Sequence, residues 1–243
     1  MADYDAIVIG GGIAALTAGL FAARLGRSSL VLEAAVPGGQ LISVPVVEDF
    51  PGFFNGVSGY ELGPNAQMQA MEAGAEFAMA EATALTFLDD AWLVATGDGD
   101  HRGRSVIVAT GSHARRLGVP GEERLQGRGI SHCASCSGPL HRGQVVGVVG
   151  GGDSAISEAL TLAEHAEQVL VFHRRAVFVA QEVYLRRARE HPKIVFHPDT
   201  VVDEVIGDDV VAGVRVRNVA SGEATEIPLA GLFVYIGTEP NTA

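Results

Sequence analysis

One pattern occurs twice in this chain of 243 residues and restricts its fold more than any other feature. A short apolar run at residues 5–9 leads into three glycines, then a helix-like segment, then a second apolar run at 29–32. The same order returns at 144–149, again before three glycines, with its second apolar run at 168–172. Strand, glycine-rich turn, helix and strand in this order are typical of dinucleotide-binding βαβ units. The sequence therefore predicts an α/β protein with two Rossmann-like domains.

Both turns read G-x-G-x-x-A. The first glycine permits the tight turn, the second lets the backbone approach a pyrophosphate, and the small third residue lets helix and strand pack closely. The phosphates are expected at the helix N-terminus. A single turn of this kind can be a plain strand-to-helix connection, but two complete copies predict two dinucleotide sites. The predicted cofactor-binding residues of the turns are Gly10, Gly12 and Ala15, and then Gly150, Gly152, Asp153, Ser154 and Ala155.

The residue that follows the second strand differs between the copies. It is Glu33 in the first, and a carboxylate there accepts hydrogen bonds from a ribose 2′-OH and repels a 2′-phosphate, which predicts FAD or NAD. It is His173 in the second, followed by Arg174 and Arg175. Charge-assisted hydrogen bonds are worth roughly 1.5–3 kcal/mol each, so this pair predicts a preference for NADPH. The alternative for the two arginines is a solvated strand end.

Cys133 and Cys136 are the only cysteines, and they stand three residues apart in SHCASCSG. A C-x-x-C loop can close an intramolecular disulfide and stabilise one thiolate for attack, which suits a redox couple that cycles. Half of a zinc site is the alternative, with His113, His132 and His141 as nearby ligands. The paired nucleotide sites favour the redox couple, and we predict no metal.

Net charge, the length of apolar runs and the N-terminal residues limit which partners and which location we expect for this protein. A net charge of −12 argues against nucleic acid or an anionic membrane as a partner. No apolar run approaches the ~20 residues of a membrane span. The N-terminus has no basic region like that of a signal peptide. We expect a cytoplasmic protein.

The sequence resembles the low-molecular-weight bacterial thioredoxin reductases along its whole length. Besides the two turns and the C-x-x-C, the resemblance rests on GGQL at 38–41, VEDFPGF at 47–53, ATG at 109–111, HRR at 173–175 and GTEPNT at 237–242. It implies further contacts with FAD from Gly39, Gln40, Leu41, Asp49, Thr110 and Gly111.

The resemblance also implies the domain organisation and the chemistry. Residues 1–112 would form a FAD-binding domain, interrupted by an NADPH-binding domain at 113–243 that carries the redox loop; the segment that returns to the FAD domain is absent from this chain. Hydride would pass from NADPH to FAD, and electrons from the flavin to Cys136. Cys133 would attack the disulfide of thioredoxin, of a thioredoxin-like protein or of a small molecule. A homodimer is implied.

Several positions depart from the family pattern. Ser137 replaces the Asp that serves as acid/base for the dithiol, and a hydroxyl cannot act as a general acid near neutrality. A histidine titrates in that range, so His132 is the predicted catalytic replacement, and the alternative is that it is an exposed loop residue without a catalytic role. Val179 replaces a further nucleotide-binding Arg, and Asp49 a frequent Asn. The chain stops near the expected return to the FAD domain, so we expect it to be truncated.

Two rival functions remain open from the sequence. A FAD-dependent dithiol oxidase that uses oxygen fits the missing acid at Ser137 but has no use for Arg174 and Arg175. A non-catalytic, nucleotide-binding redox sensor fits the short chain but has no need for both cysteines. We therefore predict an NADPH-dependent flavoprotein disulfide reductase.

Overall fold

The computed structural model describes residues 3–242 and divides the chain into two compact units. Unit 1 contains the described residues up to Ser112 and from Pro240 onward, and unit 2 spans His113–Glu239. The predicted division assigned everything after residue 112 to the second domain, so it differs at the last residues. Asn241 belongs with unit 1 because its backbone N–H donates to the Gly111 carbonyl and its side-chain amide to the Thr110 carbonyl, each at 3.0 Å.

Unit 1 is built around a mixed sheet. Its elements are β1 Tyr4–Ile9, α1 Ile13–Arg24, β2 Ser29–Glu33, a 3₁₀ helix Gly39–Ser43, α2 Gly59–Glu72, β3 Glu76–Met79, β4 Ala82–Leu88, β5 Ala91–Thr96, β6 Gly99–Val108 and the start of β7 Ser112–Ala114. The sheet order is β3-β2-β1-β6-β5-β4. The first four strands of this order are parallel, and β5 and β4 are added antiparallel.

Alternation along the strands gives unit 1 a core on each face of the sheet, since successive side chains point to opposite faces. Val8 and Val31 pack against Ala15 of α1 on one face. Ile7 packs on the other face with Val94 of β5. All five side chains are fully buried, which explains why β1 and β2 are continuous apolar runs.

Unit 2 repeats this plan. Its elements are α3 Glu122–Leu125, β8 Ile130–Ser131, α4 Ala134–Ser137, a 3₁₀ helix Gly138–His141, β9 Val145–Val149, α5 Asp153–Ala163, β10 Gln168–Phe172, α6 Glu182–Glu190, β11 Ile194–His197, β12 Thr200–Ile206, β13 Gly213–Asn218, β14 Ala224–Pro228, β15 Gly231–Val234 and most of β16 Thr238–Pro240. A parallel sheet has the order β11-β10-β9-β15-β8, and β12-β13-β14 form an antiparallel sheet.

Different elements pack against the two faces of the parallel sheet in unit 2. Val148 and Phe233 lie in the cluster formed with helices α5 and α6. Phe172 and Leu232 lie in the cluster formed with Val214 and its neighbours in the antiparallel sheet. The strands are therefore buried on both sides, as expected for parallel strands.

The order β3-β2-β1-β6 in unit 1 matches β11-β10-β9-β15 in unit 2. In both units antiparallel strands are inserted before the last strand of this set, namely β4-β5 and β12-β13-β14. This repeated topology confirms the predicted fold class of two Rossmann-like domains. Among the described residues, no helix is long and apolar enough to span a membrane.

Candidate redox and nucleotide-binding sites

The two cysteines form a disulfide at the surface of unit 2, in the segment between β8 and β9. Their Cα atoms are 5.4 Å apart. Cys133 directly precedes α4, and its Sγ accepts a hydrogen bond from the backbone N–H of Cys136 at 3.2 Å. The Oγ of Ser135 lies 3.3 Å from the same sulfur. Because these donors would stabilise a thiolate, Cys133 is the better-placed sulfur to carry negative charge after reduction.

Ser137 supports the loop through its hydroxyl group, which is hydrogen-bonded to the hydroxyl of Ser131 at 3.0 Å. Ser131 Oγ in turn accepts from the backbone N–H of Cys133 at 3.2 Å. The backbone N–H of Ser137 donates to the carbonyl oxygen of Cys133 at 3.2 Å. Ser137 therefore contributes hydrogen bonds that shape the redox loop, where the family pattern has a titratable carboxyl.

The ring of His132 is directed toward β15, where Nδ1 donates to the carbonyl oxygen of Val234 at 2.9 Å. Within residues 3–242, no hydrogen bond joins this ring to either sulfur. His141 Nδ1 is paired with Gln144 Oε1 at 3.1 Å. Over the same residues, no three His, Cys, Asp or Glu side chains are grouped closely enough to hold a metal ion.

A carboxylate that the sequence analysis did not select lies directly against the redox loop. Glu158 Oε2 accepts from the backbone N–H of Ala134, between the two cysteines, at 2.9 Å, and from the hydroxyl of Tyr235 at 3.1 Å. Burial raises the pKa of Glu158, and the two hydrogen bonds oppose that rise. Burial, together with this carboxylate, raises the pKa of Tyr235.

A sequence signal for Glu158 exists. It lies three residues after Ala155 and four before Leu162, both fully buried in α5, so it lies in register with the apolar face of that helix. A carboxylate at such a position requires hydrogen-bond partners. The sequence does not reveal that the partners are Ala134 and Tyr235.

The first glycine of each turn lies in a close backbone contact. Gly10 has φ +113°, and a Cβ there would lie 2.2 Å from the carbonyl oxygen of Ala109. Gly150 has φ +147°, and its Cβ would lie 2.2 Å from the carbonyl oxygen of Tyr235. Both the backbone conformation and the missing space require glycine at these two positions.

The middle glycine of each turn makes room for the residue at the end of the second strand. A Cβ on Gly11 would lie 2.3 Å from Glu33 Oε2, and one on Gly151 would lie 2.4 Å from His173 Nδ1. Glu33 also accepts from the backbone N–H of Ala35 at 2.8 Å. The sequence analysis gave these middle glycines no role, although they bring Glu33 and His173 onto their turns.

At the last position of each turn, neither the backbone conformation nor a close contact within the protein requires a glycine. Gly12 and Gly152 have φ of −73° and −98°, and apart from their chain neighbours no atom of the described residues lies within 4 Å of a Cβ built on either. Each is the N-cap of a helix and offers no side-chain cap to the helical N–H groups. Open space above an uncapped helix N-terminus fits a pyrophosphate, which needs close approach to the backbone and free N–H donors.

Several residues predicted to bind FAD lie near the first turn. A Cβ on Gly39 would lie 3.1 Å from the Cα of Gly12. The side chain of Gln40 donates to the carbonyl oxygen of Ser112 at 2.8 Å, and Thr110 Oγ1 donates to that of Asn241 at 2.5 Å. Leu41 and Gly111 lie in the same two segments, and Ala15 is buried in α1. Asp49 differs from these residues, because it is exposed before α2 and no hydrogen bond in the described chain joins it to the turn.

The second turn presents cations beside it. Arg174 and Arg175 are exposed, and within residues 3–242 neither guanidinium has an ion-pair partner. Val179, at the place of the family's further Arg, is exposed, and its backbone N–H donates to Gly151 at 2.8 Å. The carboxylate of Asp153 accepts from the backbone and side-chain amides of Gln181 at 2.6 and 2.9 Å.

His173 itself is held by the protein. Its ring lies 4.9 Å from that of Phe178, and its Nε2 is buried without a hydrogen-bond partner among the described residues. Burial lowers the pKa of His173, and the adjacent Arg175 and Arg174 lower it further. A neutral ring on the turn leaves the two arginines as the charges available to a phosphate, while Ser154 is exposed at the start of α5.

Comparison with known proteins agrees with this geometry. The family model for pyridine nucleotide-disulphide oxidoreductases matches residues 4–243. The chain belongs to this family. It is 42% identical to a thioredoxin reductase of Mycolicibacterium smegmatis over 98% of this chain and 77% of that protein. It is 37% identical to one of Treponema pallidum over 99% and 78% of the two chains. The crystal structure of Lactococcus lactis thioredoxin reductase has a TM-score of 0.95 at 38% identity, covering 98% of this chain and 78% of that one.

Within the pyridine nucleotide-disulphide oxidoreductases, this chain is a thioredoxin reductase-like disulfide reductase with the redox pair Cys133–Cys136. This confirms the predicted family and enzyme class. The predictions for individual cofactor-binding residues and for His132 are tested by none of these observations and remain predictions.

The first and last glycines of the turn before α5 provide a matched test. We expect Gly150→Ala to lower the free energy of unfolding by about 2–4 kcal/mol, because it combines a disfavoured φ with a backbone clash. We expect Gly152→Ala to change it by less than about 1 kcal/mol, since its φ and surroundings accept a methyl group. Urea unfolding of both variants measures the difference, and equal losses would contradict this account of the turn.

Proposed function

We propose that this protein is an NADPH-dependent flavoprotein that reduces a protein disulfide of the thioredoxin type. The observation that carries the proposal is the Cys133–Cys136 disulfide in a unit whose glycine-rich turn is followed by two arginines without an ion-pair partner among the described residues. The name thioredoxin reductase, shared by the relatives above, supports thioredoxin as the substrate; a small disulfide remains the second candidate. Bound FAD and NADPH would supply the electrons that reduce the disulfide.

The residues present fit these two cofactors. In unit 1, the Gly10–Gly12 turn would hold the FAD pyrophosphate and Glu33 the ribose hydroxyl groups. In unit 2, the turn before α5 would hold the NADPH pyrophosphate, and Arg174 and Arg175 the 2′-phosphate. The support is the open backbone at Gly12 and Gly152 and the exposed guanidinium groups, which form no ion pair within residues 3–242.

The chemistry at the cysteines is a thiol–disulfide exchange. After reduction, the Cys133 thiolate, stabilised by the Cys136 N–H, attacks one sulfur of the substrate disulfide and displaces the other as a thiolate. Cys136 then attacks Cys133 Sγ, which re-forms the intramolecular disulfide and releases the substrate as a dithiol. Cys136 is exposed and Cys133 half-buried in the oxidised state, so the loop lies at the surface where exchange requires it.

An anaerobic titration with NADPH, followed by visible absorbance, tests the proposal. We expect the wild-type protein to take up two equivalents before the flavin band bleaches fully, because flavin and disulfide each accept two electrons. Cys133→Ser should take up one equivalent, since it cannot form the disulfide. Uptake of one equivalent by the wild type would refute the coupling of flavin and disulfide. Oxygen consumption with a dithiol in the absence of NADPH would instead indicate the dithiol oxidase, and a protein without a flavin band the non-catalytic sensor.

The arginine pair should determine the choice of nucleotide. We expect Arg174→Ala combined with Arg175→Ala to raise the KM for NADPH about tenfold or more, because two charge-assisted hydrogen bonds to the 2′-phosphate are lost. The KM for NADH should change little. Arg186→Ala, an exposed arginine on α6, is the control. An equal rise in the KM for NADPH and for NADH would show that the two arginines do not recognise the 2′-phosphate.

We also propose that the protein forms a homodimer and is located in the cytoplasm. Unit 1 has a groove of about 540 Å³ between α1 and α2, lined by both apolar and polar side chains. Exposed side chains of Phe21, Leu25 and Met71 extend the apolar surface of these helices. Such a surface is suited to a second copy of the chain. Sedimentation velocity should give twice the mass of one chain, and a monomer at micromolar concentration would exclude the dimer.

A further inference from the structure

We propose that Glu158 is the positioning residue of the redox couple: its carboxylate anchors the backbone between Cys133 and Cys136 and controls how readily Cys133 becomes a thiolate. The inference rests on the proposed function only in taking these cysteines as the working couple. It assigns a role in the redox loop to a residue of the neighbouring helix, which the C-x-x-C motif itself does not indicate.

The anchor is a pair of hydrogen bonds to one oxygen atom. Glu158 Oε2 accepts from the Ala134 N–H at 2.9 Å and from the Tyr235 hydroxyl at 3.1 Å. Ala134 is fully buried, so its N–H would lose its partner if the carboxylate were removed. A buried donor without a partner destabilises the folded protein. The redox loop is therefore hydrogen-bonded to Glu158 of α5. The carboxylate of Glu158 is hydrogen-bonded in turn to Tyr235, the residue that follows β15.

When ionised, Glu158 also brings a negative charge to the loop; burial raises its pKa, and its two hydrogen bonds oppose that rise. An ionised carboxylate is acceptor-only, and both of its partners here are donors, so the hydrogen bonds favour the charged form. A negative charge beside the loop disfavours a second one on Cys133, whereas the Cys136 N–H favours it. The thiolate population of the reduced loop reflects these two opposed effects.

Other titratable groups face the loop from the elements packed around it. They are His132 within the loop, Tyr235 after β15 and His165, whose ring lies near Gly138. Among the residues described, Glu158 is the one with a carboxylate hydrogen-bonded to the backbone of the C-x-x-C turn. Ser137, at the place of the family's Asp, supplies no such charge.

The charge of Glu158 affects the equilibrium between the Cys133–Cys136 disulfide and its reduced dithiol form. Reduction adds two electrons to the Cys133–Cys136 bond, with two protons if both products are thiols and one if Cys133 remains a thiolate. A group that disfavours the thiolate therefore raises the pKa of the thiol and makes the reduced form less stable at neutral pH. Removal of its charge should make the couple more oxidising, as for other couples whose reduced form is stabilised.

Glu158→Gln is the central variant, because the amide oxygen can still accept from Ala134 and Tyr235 while the charge is lost. The matched control is Glu164→Gln, an exposed carboxylate that follows α5 directly. The pH profile of alkylation by iodoacetamide is measured on the reduced protein, with the modified cysteine identified by mass spectrometry. The disulfide equilibrium is measured against glutathione. Neither measurement requires flavin or NADPH, so a failure of the proposed function does not affect them.

We expect Glu158→Gln to increase the alkylation rate of Cys133 about tenfold at pH values below its midpoint, because a neighbouring negative charge is removed. The disulfide equilibrium constant should shift toward the dithiol by a similar factor, about 30 mV for a two-electron couple. Glu164→Gln should match the wild type. A Glu158→Gln profile that superimposes on the wild type would overturn the proposal.

Tyr235→Phe provides a second route if Glu158→Gln fails to fold. It removes one of the two donors that favour the charged carboxylate and should shift the alkylation profile in the same direction, by a smaller amount. Unchanged alkylation and an unchanged disulfide equilibrium in a folded Tyr235→Phe protein would also count against the role of Glu158.

Discussion

The structure depends on one backbone contact that occurs twice. At the first glycine of each turn, the chain passes so close to a neighbouring strand end that a Cβ would lie 2.2 Å from a carbonyl oxygen. The same hydrogen bonds surround both contacts: Ala109 N–H donates to Ile9, and Tyr235 N–H donates to Val149, each at 2.8 Å. The close approach aligns the ends of three parallel strands with the start of a helix. That arrangement creates the surface on which a dinucleotide can lie.

The middle glycines allow a side chain from the end of the second strand to lie against each turn, which affects the charge of the turn. Glu33 and His173 lie against Gly11 and Gly151, so the residue after the second strand is held over the turn in both units. A carboxylate in unit 1 and a neutral ring with flanking arginines in unit 2 give otherwise equivalent turns opposite charge. A carboxylate at this position suits ribose hydroxyl groups, whereas cations suit a phosphate.

The redox loop depends on a different set of contacts. Its cysteines lie three residues apart in sequence, but groups from α5 and from the end of β15 also support the loop. Tyr235 connects the two sites within unit 2, since its carbonyl oxygen contacts Gly150 of the nucleotide turn and its hydroxyl donates to Glu158 below the redox loop. The same strand end thus supports both the turn and the dithiol.

The sequence by itself determined the two βαβ units, their glycine-rich turns, the contrast between Glu33 and His173, and the C-x-x-C pair. These are local patterns, set by strand and helix periodicity and by the conformations that only glycine adopts. The tertiary structure decided that Ser137 bonds to Ser131, that His132 bonds to β15, and that Glu158 reaches Ala134. The last two pairs are distant in sequence, 24 residues apart for Glu158 and Ala134 and 102 for His132 and Val234, and no local pattern encodes which buried donor meets which acceptor.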